Sequence, residues 1–141
     1  MDGTITYSIG DTGARSTAGK PMDPFVATNE ISTQVFGLPT GGMEPATTVA
    51  KLHLNIRAPA NRVDIFPTLE INLLSGSKFA DAGYIAVYNV NEVNFYEKSY
   101  VTITEKAVLR GYRCRKENLC RVPIRPVVIN KKTDNILLDS R

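Results

Sequence analysis

The sequence predicts an all-β domain with one short helix, and three observations predict it. Gly and Pro cut the 141-residue chain into short segments; the apolar runs between them alternate with period two and favour β-branched and aromatic residues; and a helical period surfaces at one place only. The length suits a single domain of ordinary size that buries a core without disulfide or metal staples. An apolar fraction of 43% fits a folded chain. No apolar stretch approaches the ~20 residues needed to span a bilayer, so no membrane partner is expected.

In chain order, Ile5-Thr6-Tyr7-Ser8-Ile9-Gly10 alternates and reads as a strand that ends on a sharp turn at Asp11-Thr12-Gly13-Ala14. The polar stretch from Arg15 to Asp23 reads as a loop. Pro24 to Ala27 and Gln34 to Leu38 read as strands, and Pro39-Thr40-Gly41-Gly42 is the strongest turn signal in the chain. Beyond it Thr48, Ala50, Leu52, Leu54 and Ile56 alternate with Val49, Lys51, His53 and Asn55, the pattern of a long strand with one buried face. Residues 34–56 therefore read as a hairpin with a glycine tip. Val63 to Phe66 and Leu69 to Ile71 follow as a strand pair or one bulged strand, and Leu73-Leu74 as an apolar strand.

The helix starts at Ser75 as N-cap, turns Phe79 and Ala82 inward and stops at Gly83. Tyr84 to Tyr88, Val93 to Tyr96 and Tyr100 to Thr104 form a meander. A last hairpin joins Ala107-Val108-Leu109 to Arg121-Val122-Pro123-Ile124 across Arg115-Lys116-Glu117-Asn118. The tail from Arg125 to Arg141 carries two apolar runs, Val127 to Ile129 and Ile136 to Leu138, and reads as an extra or swapped strand or as a linker. The organisation expected is a main domain over 1–105, a basic hairpin over 106–125 and a tail over 126–141.

The net charge of +3 is unevenly spread. Between residues 105 and 132, Lys106, Arg110, Arg113, Arg115, Lys116, Arg121, Arg125, Lys131 and Lys132 face only Glu105 and Glu117. A nucleic-acid partner would use Arg110, Arg113, Arg115, Lys116 and Arg121 through phosphate contacts. A solvated hairpin face is the preferred reading, because few aromatics interleave with the charges. Cys114 and Cys120 have no companion ligand at zinc spacing, so neither metal nor cofactor is expected. With no charged-then-apolar leader, the expected setting is intracellular, where both would stay thiols.

Asp11-Thr12-Gly13-Ala14 carries the chemistry. Gly13 permits backbone angles or close approaches that a side chain would block, and the Thr12 hydroxyl both donates and accepts. The tetrad alone reads equally as an Asx-type turn closing a hairpin. Its company alters the balance: a glycine-tipped hairpin about 30 residues downstream, placed as a flap over a bound peptide would be, then Leu73-Leu74-Ser75-Gly76 and the helix.

Here the chain resembles the retropepsin-like protease region of copia-type retrotransposon polyproteins. The resemblance rests on Gly10-Asp11-Thr12-Gly13-Ala14, on Leu38-Pro39-Thr40-Gly41-Gly42, on the block from Asn72 to Gly83, and on Ala107 to Arg113 with Leu119 to Ile124. It implies a closed acid-protease β-barrel with a flap, acting as a homodimer on peptide bonds of its own polyprotein, in the cytoplasm or in virus-like particles. It also implies catalytic Asp11, Thr12 and Gly13, with Ala14, Thr40, Gly41 and Gly42 against the substrate. Asp81-Ala82-Gly83 lacks the hydroxyl of a second active-site loop, and no other aspartate opens D-[TS]-G. Chemistry that needs two aspartates then needs two chains.

The alternatives are a catalytically inactive protease-like β-domain, or a binding module with its basic hairpin on nucleic acid. Gly13 to Lys20 superficially suggests a phosphate-binding loop, but five residues separate its glycines and Pro21 stands where Ser or Thr must bind magnesium. His53 sits on the polar face of its strand with no nucleophile signature nearby.

Overall fold

The computed structural model describes residues 6–11, 14–37, 41–124, 129–130 and 135–136. They form an all-β architecture with one short helix, in two compact units, Met1–Thr102 and Ile103–Arg141. No helix among them is long and apolar enough to cross a membrane.

The first unit is built on a six-stranded sheet in the order β1-β8-β2-β7-β6-β3. Its strands are β1 (Ile9–Asp11), β2 (Thr17–Gly19), β3 (Val26–Ile31), β6 (Thr48–Lys51), β7 (Arg62–Ile65) and β8 (Leu73–Ser75). β4 (Val35–Gly37) and β5 (Met43–Pro45) make a separate hairpin across the predicted glycine turn. Two pairings are parallel, β1 with β8 and β2 with β7, and the rest are antiparallel.

The expected closed barrel is not what this pairing yields. Closure needs the first and last strands to bond to each other, whereas among the described residues β1 pairs only with β8 and β3 only with β6, so the sheet is open at both ends.

β7 lies inside the sheet, and Val63, Asp64, Ile65 and the following Phe66 are all buried. A strand covered on both faces loses the one-in, one-out burial of a surface strand. Val63 and Ile65 pack with Ala50 on one face, joined by Phe25 and Leu52. Phe66 packs with Ala18 and Ala46 on the other, joined by Phe36, Leu69 and Leu73. At Gly19 a β-carbon would stand 2.6 Å from both Phe25 and Val63, so only glycine lets β2 and this core approach.

Three expectations are corrected. Residues 15–23, read as a loop, contain β2, whose Thr17, Ala18 and Gly19 are buried; small residues hide the strand in a polar-looking segment. The strand expected over 48–56 stops at Lys51, where its pairing with Arg62 ends, and Leu54 is 62% exposed. Neither Leu69 to Ile71 nor Tyr100 to Thr104 is a strand; a 3₁₀ turn, Lys98–Tyr100, follows the meander's second strand and takes up the first residue of the one expected next.

The helix α1 (Gly76–Asp81) takes Ser75 as N-cap and is followed by Gly83 at φ +90°, the left-handed geometry that favours glycine. Phe79 is its buried apolar residue and meets Phe95 and Tyr84 at ring-centroid distances of 4.6 and 5.7 Å. Those rings belong to the hairpin of β9 (Tyr84–Tyr88) and β10 (Val93–Glu97).

Arg57 ties the loop before β7 to that hairpin. Its guanidinium lies 4.4 Å from the Tyr84 ring centroid, donates to the Ala82 carbonyl and grips both carboxylate oxygens of Glu97. That hydrogen-bonded pairing holds the Glu97 carboxyl below its usual range.

In the second unit β11 (Tyr112–Cys114) pairs with β12 (Leu119–Arg121) across the predicted turn, and β13 (Ile129–Asn130) pairs with β14 (Asn135–Ile136). Both hairpin strands were expected nearer its base, at 107–109 and 121–124; the ladder sits closer to the turn. The rest of the tail's apolar runs, Val127, Val128, Leu137 and Leu138, lies outside the described residues.

Candidate active site

Asp11 closes β1 and lies in register with Ser75, the last residue of β8 and the cap of α1. The apolar pair Leu73-Leu74 thus runs beside the strand that delivers the carboxylate, with Ile9 opposite Leu73 and Gly10 opposite Leu74.

Hydroxyls hold the turn that follows. The Ala14 amide donates to the Asp11 carbonyl at 3.3 Å. The Ala14 carbonyl accepts from Ser75 Oγ at 2.6 Å and from Ser77 Oγ at 3.2 Å. Ser75 Oγ also accepts from the Lys78 amide at 3.3 Å, while the Ser75 amide donates to Thr17 Oγ1 at 3.0 Å. Thr17, Ser75 and Ser77 are all buried, where hydrogen bonds gain strength from the low dielectric and unmade ones are costly.

Asn72, only 5% exposed, fixes the strand from its other end. Its side chain donates to the Tyr7 carbonyl at 3.1 Å and accepts from the Lys20 amide at 2.9 Å, and its backbone carbonyl accepts from the Ile9 amide at 2.8 Å.

A groove of about 450 Å³ opens beside Asp11. Its walls are the loop after β1, with Ala14, Arg15 and Ser16, and the β4–β5 hairpin, with Gln34, Phe36 and Met43. Phe36 packs edge-on against Phe66 at 5.6 Å, which seats the hairpin on the core below the groove. Gly41, near the hairpin's end, has φ +90° and open space where a side chain would stand.

Of the residues singled out from sequence, Asp11 and Ala14 line this groove, while Gly41 and Gly42 belong to the hairpin connection and do not line it. Thr12, Gly13 and Thr40 lie outside the described residues. The serine clamp, Asn72 and Gln34 escaped sequence reading; the one available signal was a polar Asn72 interrupting an apolar run.

The other candidates lie apart. His53 is exposed on the segment after β6, and among the described residues no three potential metal ligands cluster. Cys114 and Cys120 are free, each facing a different cross-strand partner, Leu119 and Arg113. Several cations of the basic hairpin are engaged locally: Arg113 donates to Asn118 Oδ1, Arg121 pairs with Glu117, and Arg110 donates to the Tyr112 hydroxyl at 3.1 Å. The hydrogen bond from Arg121 holds the Glu117 carboxyl below its usual range.

No family model matches the chain, and no curated protein or solved structure is significantly similar to it.

Proposed function

We propose that this chain is a retropepsin-like aspartic endopeptidase that works as a homodimer on polyprotein substrates of a retrotransposon. The observation that carries the reading is the placement of Asp11: it ends a strand paired with the Leu73-Leu74 strand and opens onto a groove walled by the glycine-tipped hairpin. A chance Asx turn has no reason to combine these.

The chemistry follows from the carboxylates. Two Asp11 side chains meeting at a twofold axis share one proton, because like charges a few ångströms apart do not both ionise; aspartic-protease dyads are the standard illustration. The ionised partner takes a proton from a water held between them, and the protonated one hydrogen-bonds the scissile carbonyl as the water attacks. No covalent intermediate forms. Thr12 braces the two loops across the axis, and the hairpin closes over an extended substrate, with Gly41 and Gly42 supplying backbone contacts.

The test is cleavage of a quenched-fluorescent peptide library by the wild type and by Asp11→Asn, beside mass in solution. The reading expects turnover by a dimer in mildly acid buffer and none by the variant, which keeps its fold. Turnover by Asp11→Asn equal to wild type would overturn it.

A further inference from the structure

The groove beside Asp11 has a chemical character beyond its shape. Its described lining holds one cationic side chain, Arg15, which is exposed, set against the apolar surfaces of Val35, Phe36 and Met43. Two further polar side chains face it, Ser16 and Gln34, and neither makes a side-chain hydrogen bond among the described residues. An extended peptide offers what such a wall lacks: backbone amides and carbonyls for an amide and a hydroxyl, apolar side chains for the hairpin, and alternate side chains directed to opposite walls.

We propose that Arg15 makes this groove selective for peptides carrying an Asp or Glu side chain within a few residues of the bond addressed by Asp11, with Gln34 and Ser16 meeting the peptide backbone. The inference rests on the endopeptidase reading and adds the substrate class to it. A guanidinium carries five N–H donors in a fixed planar fork, so it attracts and hydrogen-bonds a carboxylate even while some of its donors are engaged elsewhere. The same charge disfavours Lys or Arg at that substrate position, so discrimination comes from repulsion as well as attraction. Because Arg15 is exposed, water competes, and the preference is modest rather than absolute.

The experiment uses the full chain and peptides with a constant apolar pair at the cut and Asp, Asn or Lys at each of three flanking positions on either side. At one position the wild type is expected to prefer Asp over Asn by about three- to tenfold in kcat/KM, the size of a partly solvated charge-assisted hydrogen bond. Arg15→Ala removes the preference and Arg15→Glu reverses it toward Lys. Cleavage without an acidic preference, or a preference that survives Arg15→Glu, overturns the inference and leaves the endopeptidase reading standing. The same peptides are measured for binding by fluorescence anisotropy. Arg15-dependent binding of the Asp peptides without cleavage would overturn the endopeptidase reading and keep the groove's selectivity; neither binding nor cleavage overturns both.

Discussion

Replacing Asp64 by Ala is expected to destabilise the first unit by about 3 kcal/mol. The carboxylate is fully buried on β7, where its Oδ1 accepts from Ser32 Oγ at 2.7 Å and from Arg62 Nη2 at 3.1 Å, and its Oδ2 has no hydrogen-bond partner among the described residues. Truncating one member of a buried charged pair costs ~3–5 kcal/mol, mainly because the other is left buried and alone. That ceiling is not reached here, since the Arg62 side chain is 35% exposed and also pairs with Glu30 at 2.7 Å. What remains is the stranded Ser32 hydroxyl, 6% exposed, at ~1–3 kcal/mol, together with the lost charge-assisted bond to Arg62. Asp64→Asn keeps the shape and an acceptor, and is expected to cost about half as much.

The assay is urea unfolding followed by circular dichroism. With a slope of ~1–3 kcal/mol per molar urea, the Ala variant should lower the midpoint by roughly 1.5 M. Ser32→Ala completes a double-mutant cycle, for which a coupling above ~0.5 kcal/mol is expected from direct contact. An Asp64→Ala midpoint within about 0.3 M of wild type, or additive effects in the cycle, would refute the claim that this network contributes to stability.

Further outcomes follow from the same structure. Gly19→Ala should destabilise by ~1–3 kcal/mol, because its new methyl collides with Phe25 and Val63, and a thermal melt reads the loss. Ser75→Ala should cost ~1–3 kcal/mol by removing the N-cap and a buried bond to Ala14, and should lower kcat on any cleavable peptide more than it alters KM. Glu97, hydrogen-bonded by Arg57, and Glu44, hydrogen-bonded by Thr68, are held below the ordinary value of 4.5. Depressed carboxylates stabilise the fold above their unfolded value, and that stabilisation fades as pH falls through the folded one. Urea midpoints should therefore drop on acidification through and below about pH 4.5, less steeply in Glu97→Gln and Glu44→Gln than in wild type; parallel profiles would contradict the assignment.

Local chemistry was readable in the sequence where it acts over a few residues. Ser75 as cap, Phe79 as inward face and Gly83 as stop specify α1 unaided, and the break between Tyr88 and Val93 and the Arg115 to Asn118 turn place two hairpins. Pairings between distant segments were not readable. β2 is three small residues whose strand character comes from its parallel neighbour β7 and, on its other side, from antiparallel β8. The alternation through Leu52, Leu54 and Ile56 is a true period-two pattern, yet the chain leaves the sheet at Lys51: Leu52 still packs on the core, whereas Leu54 is exposed. The site divides in the same way. Asp11 declares itself through its motif, whereas Asn72, Ser75 and Ser77 matter through partners 65, 61 and 63 residues away, beyond any local signal.

Those long separations also set an order of events in time. The turn presenting Asp11 is made before the hydroxyls that hold it, which arrive on the segment that becomes β8 and α1. Contacts so remote in sequence form late, since the intervening chain must first be ordered. A nascent or truncated chain ending before Asn72 would therefore carry the carboxylate on a strand with nothing to pair against. Whatever Asp11 does, it begins only once the helix is in place.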